Sequence, residues 1–446
     1  MPQRLVAGLR RDLGTLESYA ALVGILIGAG IFKVTSEAWA LTGPSVILAY
    51  VVLAPAILAT SVAYSVFLST PLGLEPGGEY THLSRTFGGY GLAFVGAWLK
   101  IISYIGALAF LARTFADYLL ELLGRANETA AAIPIAFATL VVFCAIHVAG
   151  VRWFGRIQVA MCAILGVSLL VLIVPGLFAI RFENYRPFVT HGLGGFAESL
   201  PPLFFAYAGF EALAQTAGEV KDSTRRLPRI FLRGILATTV IYVLMSVVAF
   251  GVLPGEELRA SAAPMAEVAS RYLPAGAAWL VTLGACMALS TSVNATMLVP
   301  SRVAVMLAKD GLAPRIIGAI SPRTGTPVVG LTITLVAALL LLVSGQVGLA
   351  LNIAVLALVM LYFMHSAALI YLPITNRALY DSITLRMPRG LQILAALLSL
   401  IAMGTLIVLL LRDAATVKLL LFWGAIGAVL YVLMKRRSRH LPAAPR

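Results

Sequence analysis

The chain has 446 residues, 60% of them hydrophobic and 12% charged, with a formal net charge of +14 and a mean hydropathy of +0.96. Soluble domains average about 45–50% apolar and 25% charged residues, so a soluble chain of this composition would lack the polar surface to cover itself, whereas lipid accepts apolar faces on every side. The basic residues fall in short clusters between apolar runs, the distribution of membrane topology and not of nucleic-acid binding.

A helix needs about 20 apolar residues to cross the hydrocarbon core. The sequence predicts twelve such spans, at Leu16–Leu41, Ser45–Leu68, Gly89–Leu120, Ala130–Ala149, Ile157–Ile180, Glu198–Ala217, Ile230–Val252, Leu273–Leu307, Val328–Val343, Leu349–Leu372, Leu391–Leu411 and Val417–Met434. Arg4, Arg10 and Arg11 before the first span, with Ala38-Trp39-Ala40 near its end as a mimic of a cleavage site, imitate a signal peptide. The length of the run and the spans that follow predict an uncleaved first helix. With the N-terminus inside, about two thirds of the 33 basic residues fall in inside segments, which predicts cytoplasmic termini, with the basic tail Lys435–Arg446 as an inner anchor. Cys144, Cys162 and Cys286 lie in apolar runs without disulfide or metal spacing.

Two spans carry signs of a broken backbone. The first contains Gly24, Gly28 and Gly30 in the run Ile27-Gly28-Ala29-Gly30-Ile31-Phe32. Glycine there either lets helices pack closely or opens the backbone to a ligand. The sixth reads Pro201-Pro202-Leu203-Phe204-Phe205-Ala206-Tyr207-Ala208-Gly209-Phe210-Glu211: a proline pair opens it, and a carboxylate follows the glycine. An ionisable residue at that depth is expensive and points to function; the plainer reading is that Glu211 braces a broken helix. Interrupted helices at matching places of two repeats point to a transporter's binding site. Freed amides hold a carboxylate and freed carbonyls an ammonium, so one break reads both ends of an amino acid.

These residues resemble the amino acid–polyamine–organocation (APC) superfamily of permeases. The matching motifs are Gly28-Ala29-Gly30-Ile31-Phe32 with Gly43-Pro44; Pro76-Gly77-Gly78-Glu79-Tyr80 with Gly88 and Trp98; Phe204 to Glu211 with Glu219-Val220-Lys221-Asp222 and Pro228; and Asn294 with Ser301-Arg302 and Lys309-Asp310-Gly311 to Pro314. The resemblance covers roughly residues 12–320; the last four spans match in hydropathy alone.

The resemblance implies an all-α integral membrane fold of 12 helices, an inverted 5+5 repeat of the LeuT-like kind with two extra C-terminal helices, in one transporter domain over 1–446. Repeat one is expected at about 12–181, repeat two at about 197–374 and the extra helices at about 391–434. It also implies alternating access. The substrate carboxylate is expected at Gly28, Ala29 and Gly30, with Ile31 adjoining. The amino group is expected at carbonyls near Ala206, Tyr207, Ala208 and Gly209, and an aromatic gate at Phe204. Pro76–Tyr80 resembles an inner loop that moves on opening.

Two departures bear on substrate and ion. Where some members that carry cationic amino acids have an acidic residue in span three, this chain has Ser103, with Lys100 about one turn away; a neutral amino acid is expected. Where some proton-coupled members have a lysine in span five, this chain has no basic residue between Ile157 and Ile180. Ser290, Thr291, Ser292 and Asn294 lie in span eight. In sodium-coupled relatives of the fold such hydroxyls hold a cation; alternatively they bond to their own helix backbone.

Lys33, Lys100, Glu211 and Glu219 are the expected coupling or gating residues, with snorkelling as the alternative for Lys33. Arg113 has Asp117 four residues on, and His147 is expected to be structural. Glu219 with Lys221, Asp222, Arg225 and Arg226 reads either as a gating network or as a solvated loop. No cluster of nucleophile, acid–base pair or metal ligands suggests an enzyme, and no cofactor is expected. The partners expected are an amino acid, a proton or sodium ion, and the bilayer of the cell membrane. A polyamine or cationic substrate, or a sensor that binds without moving its ligand, are the alternatives.

Overall fold

The computed structural model describes residues 9–261 and 263–439, so Arg4 and the last seven residues of the basic tail lie outside the described residues. The described chain is helical. Its one β pairing is an isolated bridge between Leu13 and Val220.

The first apolar segment, Thr15–Leu68, runs to 54 residues. At 1.5 Å per residue a continuous helix of that length would span about 80 Å, more than twice the hydrocarbon core. The chain breaks it instead. Helix α1 (Thr15–Leu26) stops, Ile27 leaves helical geometry, and a π-helical turn at Gly30–Val34 leads into α2 (Thr35–Thr42). Gly43, at φ +68°, then turns the chain into α3 (Val46–Leu68). Helices α4 (Glu79–Phe87), α5 (Tyr90–Leu122), α6 (Ala132–Val148) and α7 (Val151–Gly176) follow.

The second interrupted region comprises α8 (Gly192–Tyr207) and the one-turn α9 (Ala212–Gln215). Between them Ala208 is extended and Gly209 sits at φ +102°, a conformation that suits glycine. Helices α10 (Ser223–Val252), α11 (Gly255–Ala260), α12 (Pro264–Ser270), α13 (Ala275–Lys309), α14 (Val328–Val343), α15 (Val347–Thr375), α16 (Arg377–Asp381), α17 (Arg389–Leu410) and α18 (Ala414–Arg439) complete the chain. Among the described residues nine segments are long and apolar enough to span a membrane, and α14 is a shorter apolar helix.

The proline pair of the sixth expected span does not open its helix. Pro201 and Pro202 lie inside α8, which starts nine residues earlier at Gly192. Their missing amides leave only nearby carbonyls unpaired, a loss that neighbouring helices and side chains make good in membrane proteins. The helix of the fifth expected span, α7, starts at Val151, six residues before the expected limit. Its opening turns carry Arg152, Trp153 and Arg156, which a hydropathy window discounts. Helix α4 falls where an irregular loop was expected.

The core forms where α5 packs between α13 and α15, with α3 against α10 and α7 against α13. Helix α18 is mostly exposed and is tied to α5 by a reciprocal pair of indoles. Trp98 Nε1 donates to the Trp423 carbonyl (2.7 Å), Trp423 Nε1 donates to the Trp98 carbonyl (2.9 Å), and the rings stack at 4.3 Å.

Candidate functional site

The two breaks meet at a small cavity of about 30 Å³. Gly28, Ala29 and Gly30 form one wall, Ala208 and Gly209 the opposite one. Ser103, Tyr104, Ala107 and Leu111 of α5, Ser292 and Thr296 of α13, and Ala354, Val355 and Leu358 of α15 close the sides. No charged side chain lines it. The polar groups it offers are hydroxyls and the backbone of two helix ends, where the first amides and last carbonyls have no partner within their own helix.

The glycines of the first break are dictated by packing as well as exposure. A Cβ on Gly30 would stand 2.2 Å from the Ala206 Cα, so α8 touches the break backbone to backbone. A Cβ on Gly28 would stand 2.1 Å from the Ser292 hydroxyl oxygen. The close-packing reading of the glycines therefore holds, and both glycines also line the cavity. Tyr242 of α10 joins the breaks: its hydroxyl donates to the Ala206 carbonyl (2.6 Å) and to the Leu26 carbonyl. Thr35 donates to the Gly30 carbonyl (3.1 Å) and shares a hydrogen bond with Tyr50 (2.6 Å).

Of the residues singled out from the sequence, Gly28, Ala29, Gly30, Ser103, Ala208 and Gly209 are brought together on the cavity wall. Ser103 also donates to the Ala354 carbonyl at 2.8 Å. Ile31, Phe204, Ala206 and Tyr207 are buried nearby but off the wall. Phe204 packs edge-on against Tyr362; its neighbour Phe205 meets the cavity and Phe110. Tyr207 points to α3 and α10, where its hydroxyl meets the Tyr50 carbonyl (3.1 Å) and Thr239 (3.2 Å). Asn294 faces α7, donating to Gln158 Oε1 at 2.7 Å.

Gln158 was not singled out. It fills the seam between α1, α7 and α13, donating to the carbonyls of Ala20 and Thr291, each at 3.2 Å. Thr291 and Ser292 donate to the Gly24 carbonyl (2.8 and 3.0 Å) and to Ala288 of their own helix (2.7 and 3.1 Å), and Ser292 also reaches the Ile25 carbonyl (3.2 Å). Ser290 is buried beside them. His147 is buried, 2.7 Å from the Asn294 carbonyl and stacked on Phe154.

The ionisable residues separate into three groups. Lys100 of α5 is buried and holds both oxygens of Glu79 on α4, at 2.6 and 2.7 Å, and lies 3.6 Å from Glu211 in the second break. Glu211 accepts from Tyr104 (2.7 Å), from Tyr362 and from the Gly209 amide (3.1 Å). It braces the break, as the plainer reading held, while also facing a cation. The second group closes the end of the bundle where the described chain begins. Glu219 is buried and pairs with Arg302 at 3.0 Å, and its carbonyl accepts from the Leu13 amide (3.0 Å). Its sequence neighbours stay outside: Asp222 pairs with Arg226 at the surface (3.0 Å). The third group is half-buried beside α2: Lys33 reaches the Ser261 carbonyl at 3.4 Å, and Arg113 pairs with Asp117 at 3.2 Å.

A family model described as amino acid permease matches residues 13–433. Cationic amino acid transporter 1 of Arabidopsis thaliana is 29% identical over 335 residues, covering 72% of this chain and 55% of that protein's length. The branched-chain amino acid permease BcaP of Bacillus subtilis is 25% identical over 339 residues, covering 72% of each chain. The methylthioribose transporter of the same bacterium is 26% identical over 337 residues, again covering 72% of each.

Proposed function

Because the chain belongs to the amino acid permease family, we propose that it is a secondary transporter that moves a neutral amino acid across the cell membrane by alternating access. The observation that carries this reading is the meeting of two broken helices at a cavity without a charged lining side chain. The helix that begins at Gly30 offers free amides to the substrate carboxylate. The backbone of Ala208 and Gly209, on the wall just past the end of α8, is the partner of its ammonium in this reading. Ile25, Leu26, Leu111, Phe205, Val355 and Leu358 offer an apolar surface to the side chain, beside the hydroxyls of Ser103, Tyr104, Ser292 and Thr296.

A cationic side chain finds no carboxylate on that wall. Glu211 stands behind Tyr104, and Lys100 is held by Glu79. Burying an unpaired charge is costly, so the names of the cationic relatives do not carry over to this cavity. Lys33 and Glu219, both off the cavity wall, are the gating residues of this reading, the latter through its pair with Arg302.

The twelve-span, two-repeat architecture is part of the proposal. Two spans within Thr15–Leu68, the interrupted α8–α9 and the short α14 bring the nine long segments to twelve. The packing supports an internal repeat. Exchanging the first five spans for the next five turns the α5–α15 contact into α13–α7 and the α5–α6 contact into α13–α14, while mapping α3–α10 onto itself, and each of these contacts occurs. The excess of basic residues on one side supports cytoplasmic termini.

The test is uptake of a panel of labelled amino acids by proteoliposomes under a proton gradient, a sodium gradient or neither. Uptake of a neutral amino acid is expected. Uptake of none removes the substrate assignment, and uptake restricted to arginine or lysine overturns the reading of the cavity wall.

A further inference from the structure

The cluster of Glu79, Lys100 and Glu211 holds one ammonium and two carboxylates, each side chain at most 2% exposed. Among the described residues no other cation pairs with either carboxylate. With both carboxylates ionised the cluster carries a net negative charge away from water, which is unfavourable in a low-dielectric interior. One bound proton brings the count to zero.

We propose that this cluster binds one exchangeable proton and that this proton is the ion that drives transport. The proposal rests on the transport reading above and names its coupling ion.

The two carboxylates are not equivalent. Glu79 receives four hydrogen bonds from three groups: Lys100 on each oxygen, Gln215 at 2.7 Å, and the Tyr64 hydroxyl. That shell fits an ionised carboxylate, an acceptor on both oxygens. Glu211 receives two tyrosine hydroxyls and one amide, with the ammonium a full ångström farther away than from Glu79. A tyrosine hydroxyl donates or accepts, so Tyr104 or Tyr362 accommodates a protonated Glu211 by turning its O–H. Protonation converts the carboxylate of Glu211 to the acid with no other change of bonds, and release on the opposite side reverses it.

The titratable groups facing the cluster are Tyr64 of α3, His82 of α4, Tyr104 of α5, and Tyr362 and His365 of α15. His82 and His365 are buried 2.9 Å apart, and the His365 ring lies 4.1 Å from that of Tyr64.

Linkage to the amino acid follows from two shared groups. Tyr104 lines the cavity and donates to Glu211. Gly209 lines the cavity, and its amide is held by Glu211. Loading the proton weakens the hold of Glu211 on that amide, because a neutral acid is a poorer acceptor than a carboxylate. The second break therefore feels the proton and the substrate through the same peptide.

The experiment uses the full chain in proteoliposomes with a trapped pH dye and a transported neutral amino acid. Exchange of labelled for unlabelled amino acid, without a gradient, is recorded in parallel. The wild type and Lys100→Arg are expected to take up protons with the amino acid. Glu79→Gln and Glu211→Gln each leave one ammonium and one carboxylate, and substrate-evoked proton uptake is expected to be lost.

Infrared spectroscopy reads the proton without substrate. The band of a protonated carboxyl is expected in the wild type, absent in Glu79→Gln and Glu211→Gln, and stronger in Lys100→Met, where two carboxylates without a cation are neutral only with two protons. A Gln variant that exchanges amino acid and still moves protons at the wild-type ratio overturns the proposal. So does a wild type that exchanges amino acid without moving protons, and that outcome leaves the transport reading intact. A wild type that moves no amino acid removes the transport reading, and the infrared series alone then decides whether the cluster holds a proton.

Discussion

The two breaks line the same cavity but are held open in different ways. The first, between α1 and the turn at Gly30, has no ionisable side chain in it. It is shaped by close backbone contact with Ala206 and by hydroxyls of Thr35, Tyr50 and Tyr242. The second, between α8 and α9, contains Glu211 and is followed shortly by Glu219, each buried and each facing a cation. The first break is thus a matter of volume and the second a matter of charge. On the proposed reading, a substrate read by backbone needs a rigid frame, the part given to the first break, and a coupling ion needs a group that binds it, the part given to Glu211 in the second.

The largest expected effect tests the charge side. Arg302→Met leaves Glu219 buried without its cation, and breaking such a pair costs about 3–5 kcal/mol. The expected result is a clear loss of stability in denaturant titration, reduced in the double variant Arg302→Met/Glu219→Gln, where both charges go. If the double variant is no better than the single one, the pair is not what holds the second break. Next comes volume. Gly30→Ala places a methyl against the Ala206 backbone, and overpacking of this kind costs about 1–3 kcal/mol. Thermal stability is expected to fall and uptake to be lost, with little change in proton coupling per amino acid carried by any remaining active fraction.

A smaller effect is expected where the breaks are joined. Tyr242→Phe removes the hydroxyl shared by the Ala206 and Leu26 carbonyls, at a cost of about 1–3 kcal/mol for buried acceptors left unpaired. Because it touches both breaks, it is expected to weaken substrate binding, read as a higher KM for uptake, more than it weakens the fold.

How much of this was legible follows the same division. Apolar runs announce helices by composition, so the long spans appeared at nearly their observed limits. Helices with charged or aromatic opening turns, such as α7, started earlier than hydropathy suggests, because the backbone continues its hydrogen bonding whatever the side chains prefer. The glycines at 28, 30 and 209 marked the breaks: Gly209 because few other residues fit its backbone, Gly28 and Gly30 because a Cβ there would strike Ser292 and Ala206. The off-wall positions of Phe204 and Tyr207 were not legible. Which face of α8 meets the cavity depends on how far the helix turns before Ala208, and its start at Gly192 is hidden by the proline pair. Lys100 and Glu211 drew attention as charges in apolar runs, but Glu79 did not, because it lies in a segment that read as a loop. A buried lysine demands a counter-charge, and that demand was the signal that pointed beyond Lys100 itself.

The smallest expected effect separates two explanations of Gly28. Its missing side chain leaves room for the Ser292 hydroxyl, a movable group, where Gly30 meets immovable backbone. Gly28→Ala alone is therefore expected to be milder than Gly30→Ala, and adding Ser292→Ala is expected to relieve it further, since the clashing atom is then gone. Ser292→Ala alone removes donors to the Gly24, Ile25 and Ala288 carbonyls and is expected to cost about 1 kcal/mol. Uptake by the single variant, followed with and without sodium, reads the hydroxyl's role directly. Sodium-independent uptake in both wild type and variant leaves Ser292 as a packing and hydrogen-bonding residue. Sodium-dependent uptake in the wild type that disappears in the variant would instead make the α1–α13 seam the ion site, and the first break would then carry charge after all.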